Sequence, residues 1–372
     1  MTLILAAAFL LSILPPASAA EEARWRPALP GYVYAFPRDH GAHPGFRTEW
    51  WYFSGHLKAP QEEGGERFAF MLTFFRSGLR PPAPEEPPRR SRWALRDLHF
   101  AHFALLDVRA KRHRHTERFS RGALGEAGAE EGGLNVWIRD WRAGMERDGA
   151  IRLAAEGVGA KLALVLAPRK PPVVHGREGV SQKAEGEGRA SHYYSFTRLA
   201  AQGELTLDGR AFRVEGSAWM DHEFGSNQLA PGQAGWDWLS LQLADGRELM
   251  LYHMRREGGG IDPQSSGTVV DADGRARHLP RDAFRFEPAG TWKSPVTGAV
   301  YPMGWRVRVS GEGIELEVRP LAEDQELSTE GSTRVIYWEG GVEAKGRWGA
   351  ESVTGVGFAE LVGYAAKGRP RF

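Results

Sequence analysis

The chain has 372 residues, with 48 Lys and Arg against 47 Asp and Glu, a formal net charge of +1. So even a balance excludes the global basic field that recruits nucleic acid. It contains no cysteine, which excludes disulfides, thiol nucleophiles and thiolate metal ligands.

The opening segment, MTLILAAAFLLSILPPASAA (1–20), is apolar from Thr2 to Leu14, turns at Pro15-Pro16 and ends in the small-residue pattern Ala17-Ser18-Ala19. This is the pattern of a secretory signal peptide cleaved near Ala19 or Ala20, and it implies a periplasmic or secreted protein. The basic start usual in such leaders is missing, and a buried N-terminal helix is the alternative. No later stretch approaches the roughly 20 apolar residues needed to cross a bilayer, so an integral membrane protein is not expected. About 350 residues remain, enough for two domains with cores of their own. The 13 Trp, 9 Tyr and 18 Phe suit those cores, and equally a site for a large apolar ligand.

Alternating segments then dominate: TEWWYFSGHL (48–57), RFAFMLTFFRS (67–77), ALRDLHFAHFALLDV (94–108), GLNVWIRDW (133–141), IRLAAEG (151–157), KLALVLAP (161–168) and HYYSFTRLAAQGELTLDG (192–209). Each is bounded by Gly, Pro or charged turns, which predicts many antiparallel strands and an all-β fold. The Pro-rich LRPPAPEEPPRR (79–90) reads as an exposed loop. The basic cluster VRAKRHRHTERFSR (108–121) reads as a solvated hairpin tip. The long polar segment VVHGREGVSQKAEGEGRASHYYS (173–195) is either a flexible loop or a lid that brings Ser181, Lys183 and Tyr193 to a ligand.

The second half repeats the style. GWDWLSLQLADGRELMLYHMRR (235–256) holds a strand, an Asp-Gly turn and a second strand carrying Tyr252. Glu49-Trp50-Trp51 before one hairpin echoes Trp236-Asp237-Trp238 before another, an acid beside tryptophan each time. Two related barrels explain the echo, with a signal peptide over 1–20, a first domain over 21–232 and a second over 233–372. One large sandwich is the alternative.

Strand alternation puts Glu49, Trp51 and Phe53 on one face and Trp50, Tyr52 and Ser54 on the other, so both faces are covered. Trp236, Trp238, Ser240 and Gln242 share a semi-polar face suited to lining a cavity. In WMDHEFGSNQL (219–229) the same rule sets Asp221 and Glu223 on one face and His222 on the other. Two carboxylates in a dry aromatic site are driven apart in pKa, which leaves one protonated as an acid and the other as a base. Glu49, Glu339 and Glu360 are further acids set among apolar residues. The plainer alternatives are structural ion pairs, Arg47 included, or a metal clip. A zinc site needs three or four placed ligands, and HRH (113–115) and DHE (221–223) are too generic to supply one. No nucleotide or dinucleotide fingerprint and no nucleophile elbow appears, so no metal and no cofactor is expected.

FRTEWWYFSGHL, HYYSFTRL, GSAWMDHEFGS and GWDWLSLQLADGRELMLYHMR together resemble the AttH-like family, lipocalin-like secreted proteins related to carotenoid 1,2-hydratases. The resemblance spans roughly 30–370 of the chain. It implies two consecutive lipocalin-like antiparallel β-barrel domains packed together. It also implies Asp221 as the proton donor of a hydratase, and Glu49, Trp51, Tyr193, Trp219, Trp236 and Trp238 as pocket residues. Tyr252 and Glu360 join that ligand-binding set by position. Family members include hydratases that add water to an isoprenoid double bond and secreted proteins that accompany membrane export systems. The first expectation is therefore a binder of a lipid or isoprenoid-type ligand. The alternative is a hydratase, isomerase or hydrolase using Asp221 as general acid with Glu223 or His222 as its partner. A structural or protein-interaction role comes third.

Overall fold

A computed structural model describes residues 24–60, 65–82 and 95–366. The signal-peptide expectation for 1–20 falls outside these residues, as does most of the Pro-rich loop. The described chain is all-β, with helix only as short 3-10 turns. None of its helices is long and apolar enough to cross a membrane.

Two antiparallel sheets follow one another in sequence and pack together, the first of 13 strands and the second of 10. They share a plan. In the first, Thr48–Ala59 lies between its hairpin partner Glu66–Gly78 and the last long strand, Arg210–Gly225. In the second, Gln233–Leu243 lies in the same way between Glu248–Arg256 and Glu351–Val362. The echo of acid beside tryptophan marks equivalent places in this plan. Glu49 and Asp237 each point into their own sheet's core, and each is held by an arginine of the hairpin partner, Arg76 at 3.0 Å and Arg255 at 2.9 Å.

Each sheet curls around its own apolar core. Trp51, Phe53, Phe70, Phe103 and Trp141 belong to the first; Leu239, Leu241, Tyr301, Trp305 and Trp338 belong to the second. The outer faces of the central strands then meet in a third core, a seam that contains Tyr52, Met71, Tyr193, Trp219, Trp238, Tyr252, Tyr337 and Phe358. This is why the central strands are apolar on both faces: one face serves the sheet and the other serves the partner sheet.

The hairpin that carries the candidate site is set by its turn. Asp208 and Gly209 sit at φ 49° and 82°, the paired positive values of a type I′ turn, whose twist matches the flanking strands. Pairing runs from Leu207 opposite Arg210 down to Leu199 opposite Ala218, and there a bulge shifts the register by one. Beyond it Ser195 stands opposite Asp221 and Tyr193 opposite Glu223. An unbroken ladder would have set Ser195 against His222, on the other face of the sheet. The bulge also feeds the seam, for Gln242 Nε2 donates to the Thr197 carbonyl at 2.7 Å, and Arg198 reaches Glu248 of the second sheet at 2.6 Å.

Candidate functional site

The sequence-selected residues separate into two buried clusters, on opposite faces of the first sheet. Asp221 and Glu223 face the seam with Trp219, Tyr193, Trp238 and Tyr252. His222, between them in the chain, faces the first core with Trp51 and Glu49. Its ring stacks on Trp51 with centroids 4.8 Å apart.

In the seam, Asp221 is 4% exposed. Its Oδ1 accepts from Trp219 Nε1 at 2.7 Å and from the Ser195 hydroxyl. Both donors are neutral. Burial pushes the carboxyl up to about 7, against the lowering pull of those donors. Glu223 is treated differently: it accepts from Ser191 and pairs with Lys183 at 3.0 Å. The Lys183 ammonium in turn lies 4.2 Å over Tyr252 and 5.1 Å over Tyr193, a cation held among aromatic faces. No arginine holds either acid in these contacts; the pairing is with lysine, and for Glu223 only.

The second sheet adds two more acids to the same seam. Glu339 and Glu360 stand directly opposite each other on neighbouring strands, an arrangement that penalises double ionisation. Burial, reinforced by Glu360, holds Glu339 well above the usual carboxylate range. Burial lifts Glu360 to about 7, while Trp236 Nε1 donates to its Oε2 at 2.9 Å. Glu339, Tyr52 and Ser54 face one another there, with Tyr52 between the other two, and Glu339 Oε1, Tyr52 Oη and Ser54 Oγ are buried without a well-aligned hydrogen bond. Buried polar atoms are costly unless paired, so these three groups form a small polar cluster on the seam face, among acids.

The segment 173–189, read from sequence as a loop or lid, lies docked. Val173–Val174 and Ser181–Gln182 each pair with the strand Ala190–Leu207. Ser181 Oγ lies 3.1 Å from Tyr252 Oη, and Lys183 reaches Glu223 as above. The segment also delivers His175, which sequence reasoning passed over. His175 Nε2 lies 2.7 Å from Ser195 Oγ and its Nδ1 lies 2.8 Å from Thr268 Oγ1. The available signal for Ser195 was its alternation with Tyr193; nothing local marked His175 or Thr268.

On the other face, Glu49 Oε1 meets His43 Nδ1 at 2.8 Å and His222 Nε2 at 2.9 Å. Its Oε2 accepts from Arg76 Nε at 3.0 Å, and the His43 backbone N–H donates to both oxygens. Burial raises the Glu49 carboxyl, but the histidines and Arg76 outweigh it and hold it well below its usual range. Burial lowers His43 too, and there the carboxylates of Glu49 and Asp39 win and raise it. Burial keeps His222 low. His43, Glu49 and His222 are ligand types suited to zinc. Yet the carboxylate is already saturated with donors, and a guanidinium sits on its second oxygen, so the residues fit a self-contained ion network better than a dication. Asp39, His43 and Arg76 were not legible as its members, because they come from a 3-10 turn, the coil after it and a neighbouring strand.

A groove of about 520 Å³ opens where the sheets part, lined by Arg198, Ser217, Gln242, Glu343 and Thr354 among others. Gln242, read from sequence as cavity-lining, is among them, but none of the buried acids of the seam is, and its rim is charged. Asp221, Glu223, Glu339 and Glu360 lie away from it, in the seam.

A family model described as AttH-like matches residues 27–364. Among solved structures, one designated AttH from Nitrosomonas europaea has a TM-score of 0.81 at 34% identity, covering 91% of this chain and 100% of that one. Kievitone hydratase from Nectria haematococca has a TM-score of 0.65 at 16% identity, covering 93% and 98%. CghA with Sch210972 has 0.52 at 16%, covering 91% and 95%. At such identities the last two show a common fold only. No curated protein matches the chain.

Proposed function

This chain belongs to the AttH-like family, and on that premise we propose that it is a proton-transfer enzyme, hydratase-like in chemistry, acting on a hydrophobic unsaturated ligand in the seam between its sheets. The observation that carries this is Asp221, a carboxyl pushed up to about 7 among neutral donors and aromatic faces. A group so placed keeps its proton near neutral pH and can still give it away. Its Oδ1 accepts from Ser195 and Trp219, and Tyr193 also lies within hydrogen-bond reach of the carboxyl, so the proton is given from Oδ2.

Protonation of an alkene leaves a carbocation, and Trp219, Trp238 and Tyr193 present the aromatic faces that stabilise one. Water adds to the second carbon and its proton passes to Glu223, the partner on the same face, roughly 6.5 Å along the strand. His222 takes no part, since it faces the first core. The polar cluster of Tyr52, Ser54 and Glu339 orients water or a polar end of the ligand.

A lipid carrier in the same seam is the competing reading. A carrier needs concavity and apolar area; it has no use for acids whose burial is uncompensated, and these favour the enzyme. The curl of each sheet supports two lipocalin-like barrels with their boundary at residue 232, and the leader-like segment 1–20 supports a periplasmic or secreted location.

The test is mass spectrometry of small molecules released from wild-type protein and from Asp221→Asn, both purified from their native compartment. The expected result is an alkene retained by the variant and a product heavier by one water with the wild type. The same unaltered ligand on both proteins would establish the carrier instead.

A further inference from the structure

Asp221 is buried, yet an acid that gives its proton in each cycle has to be reloaded. We propose that Thr268, His175 and Ser195 form a proton relay that recharges Asp221 from the second sheet; this rests on the acid role of Asp221 proposed above.

The hydrogen-bond directions follow from the end of the chain. An ionised Asp221 only accepts, so the Ser195 hydroxyl donates to it. Ser195 Oγ, its proton committed, accepts from His175 Nε2–H across 2.7 Å. A neutral His175 then has a bare Nδ1, which accepts the Thr268 hydroxyl proton across 2.8 Å. Every contact is occupied and every one points toward Asp221. Thr268, His175 and Ser195 are all buried, and burial drives the His175 imidazole down to about 3. The ring is thus a poor store of protons and passes them on by exchanging tautomers.

The step balances. After Oδ2 gives its proton to the ligand, Oδ1 takes the Ser195 proton, Ser195 takes that of His175 Nε2, and His175 Nδ1 takes that of Thr268. Thr268 is refilled from outside. One proton enters at Thr268, one leaves at Asp221, and His175 ends as its other tautomer. Before the next cycle the carboxyl turns to carry its proton on Oδ2, the two hydroxyls rotate back and His175 returns to its Nε2–H tautomer. The outer end lies at the β-pair formed by Ser266–Val270 and Ala276–Pro280, where Thr268 stands opposite His278. His278 is partly exposed, and its buried Nδ1 has no hydrogen-bond partner, which puts a titratable group between solvent and the relay.

Structure explains why these residues meet. The bulge after Phe196 sets Ser195 opposite Asp221, and the docked segment carries His175 across it, where the His175 N–H bonds the Tyr193 carbonyl at 2.9 Å. Thr268 comes from the other sheet, so the relay is completed only when the two sheets are joined.

The experiment follows hydrogen–deuterium exchange of the Asp221 carboxylic acid by rapid-mixing infrared spectroscopy. The full chain is labelled with carboxyl-13C aspartate, and the Asp221→Asn spectrum identifies the band. No ligand or turnover is needed. His175→Gln and Thr268→Val are expected to slow the exchange by about tenfold or more, a factor that corresponds to roughly 1.4 kcal/mol of barrier. Thr268→Ser, which keeps the hydroxyl, is expected to restore the wild-type rate. An unchanged rate in both slowing variants, with the band still present, would overturn the relay and leave the acid role standing. Absence of any protonated Asp221 band at neutral pH in the wild type would overturn both.

Discussion

Asp221 and His222 are consecutive in the chain and work on opposite sides of one sheet. Asp221 accepts from Ser195 and Trp219 in the seam, while His222 meets Glu49 at 2.9 Å in the first core. A motif that reads as a single acid–imidazole–acid triplet is therefore two sites, and substitutions at the two positions are expected to behave independently.

The pH dependence of stability tests the seam site. The Asp221 carboxyl is raised from 3.8 to about 7, so the folded protein binds its proton more tightly than the unfolded chain does. Its contribution to stability is full below about pH 4 and is lost as pH rises through about 7. Relative to wild type, Asp221→Asn should gain on the order of 4 kcal/mol between pH 4 and pH 8 as an upper bound. Urea denaturation of both proteins across that range measures it, and a pH-independent difference would count against a protonated Asp221.

The opposed pair Glu339 and Glu360 makes a related prediction. Both carboxyls are raised, chiefly by burial, so their contribution too is lost as pH rises past neutrality. Glu360→Gln keeps an acceptor for Trp236 and removes one charge. It should stabilise the protein by about 1–2 kcal/mol at pH 8 and by little at pH 5. Equal effects at the two pH values in chemical denaturation would show that the pair does not share its charge.

Joining of the sheets is tested at Glu248. This buried carboxylate is held by Lys170 and Arg198, each at 2.6 Å, Arg198 from a strand of the first sheet and Lys170 from the connection that follows its strand Ala160–Pro168. Removing one partner leaves charge insufficiently compensated in a dry interface. Lys170→Ala should cost about 3 kcal/mol, whereas Lys170→Arg should recover most of it. Thermal unfolding of both variants checks the order; an Ala variant as stable as wild type would mean that the ion triad holds nothing together.

The Glu49 cluster predicts indifference to zinc. With Arg76 and the His43 N–H on the carboxylate, an entering dication would have to displace protons from both histidines beside a buried guanidinium. Added zinc is therefore expected to leave the melting temperature unchanged. A rise that grows with the logarithm of zinc concentration, and that disappears in His222→Ala, would identify a metal site instead.

Strand faces are legible in the amino-acid sequence itself. The alternation of 48–57 and 235–243 assigns each side chain to the face it occupies, because the strand period is fixed by backbone geometry. The equal faces of Asp221 and Glu223 and the opposite face of His222 follow from the same rule. Glu49 and Trp51 lie on the face away from Asp221, and alternation within one strand could not reveal this. It says which residues share a face, and never which face of one strand adjoins which face of another.

Pattern and composition determined an all-β chain, strands covered on both sides, aromatic cores in place of disulfides, and an acid-bearing strand among tryptophans. These are properties of local backbone geometry and of the area that must be buried, and both are written residue by residue. The tertiary structure alone decided that Ser195 meets Asp221, that Lys183 neutralises Glu223, that Glu339 opposes Glu360 and that His175 and Thr268 come within hydrogen-bond reach. Each of these depends on a register shift of one residue or on the docking of distant segments. Such contacts are chosen by the energy of the assembled seam, where a buried charge or hydroxyl must find a partner from wherever in the chain one can be brought.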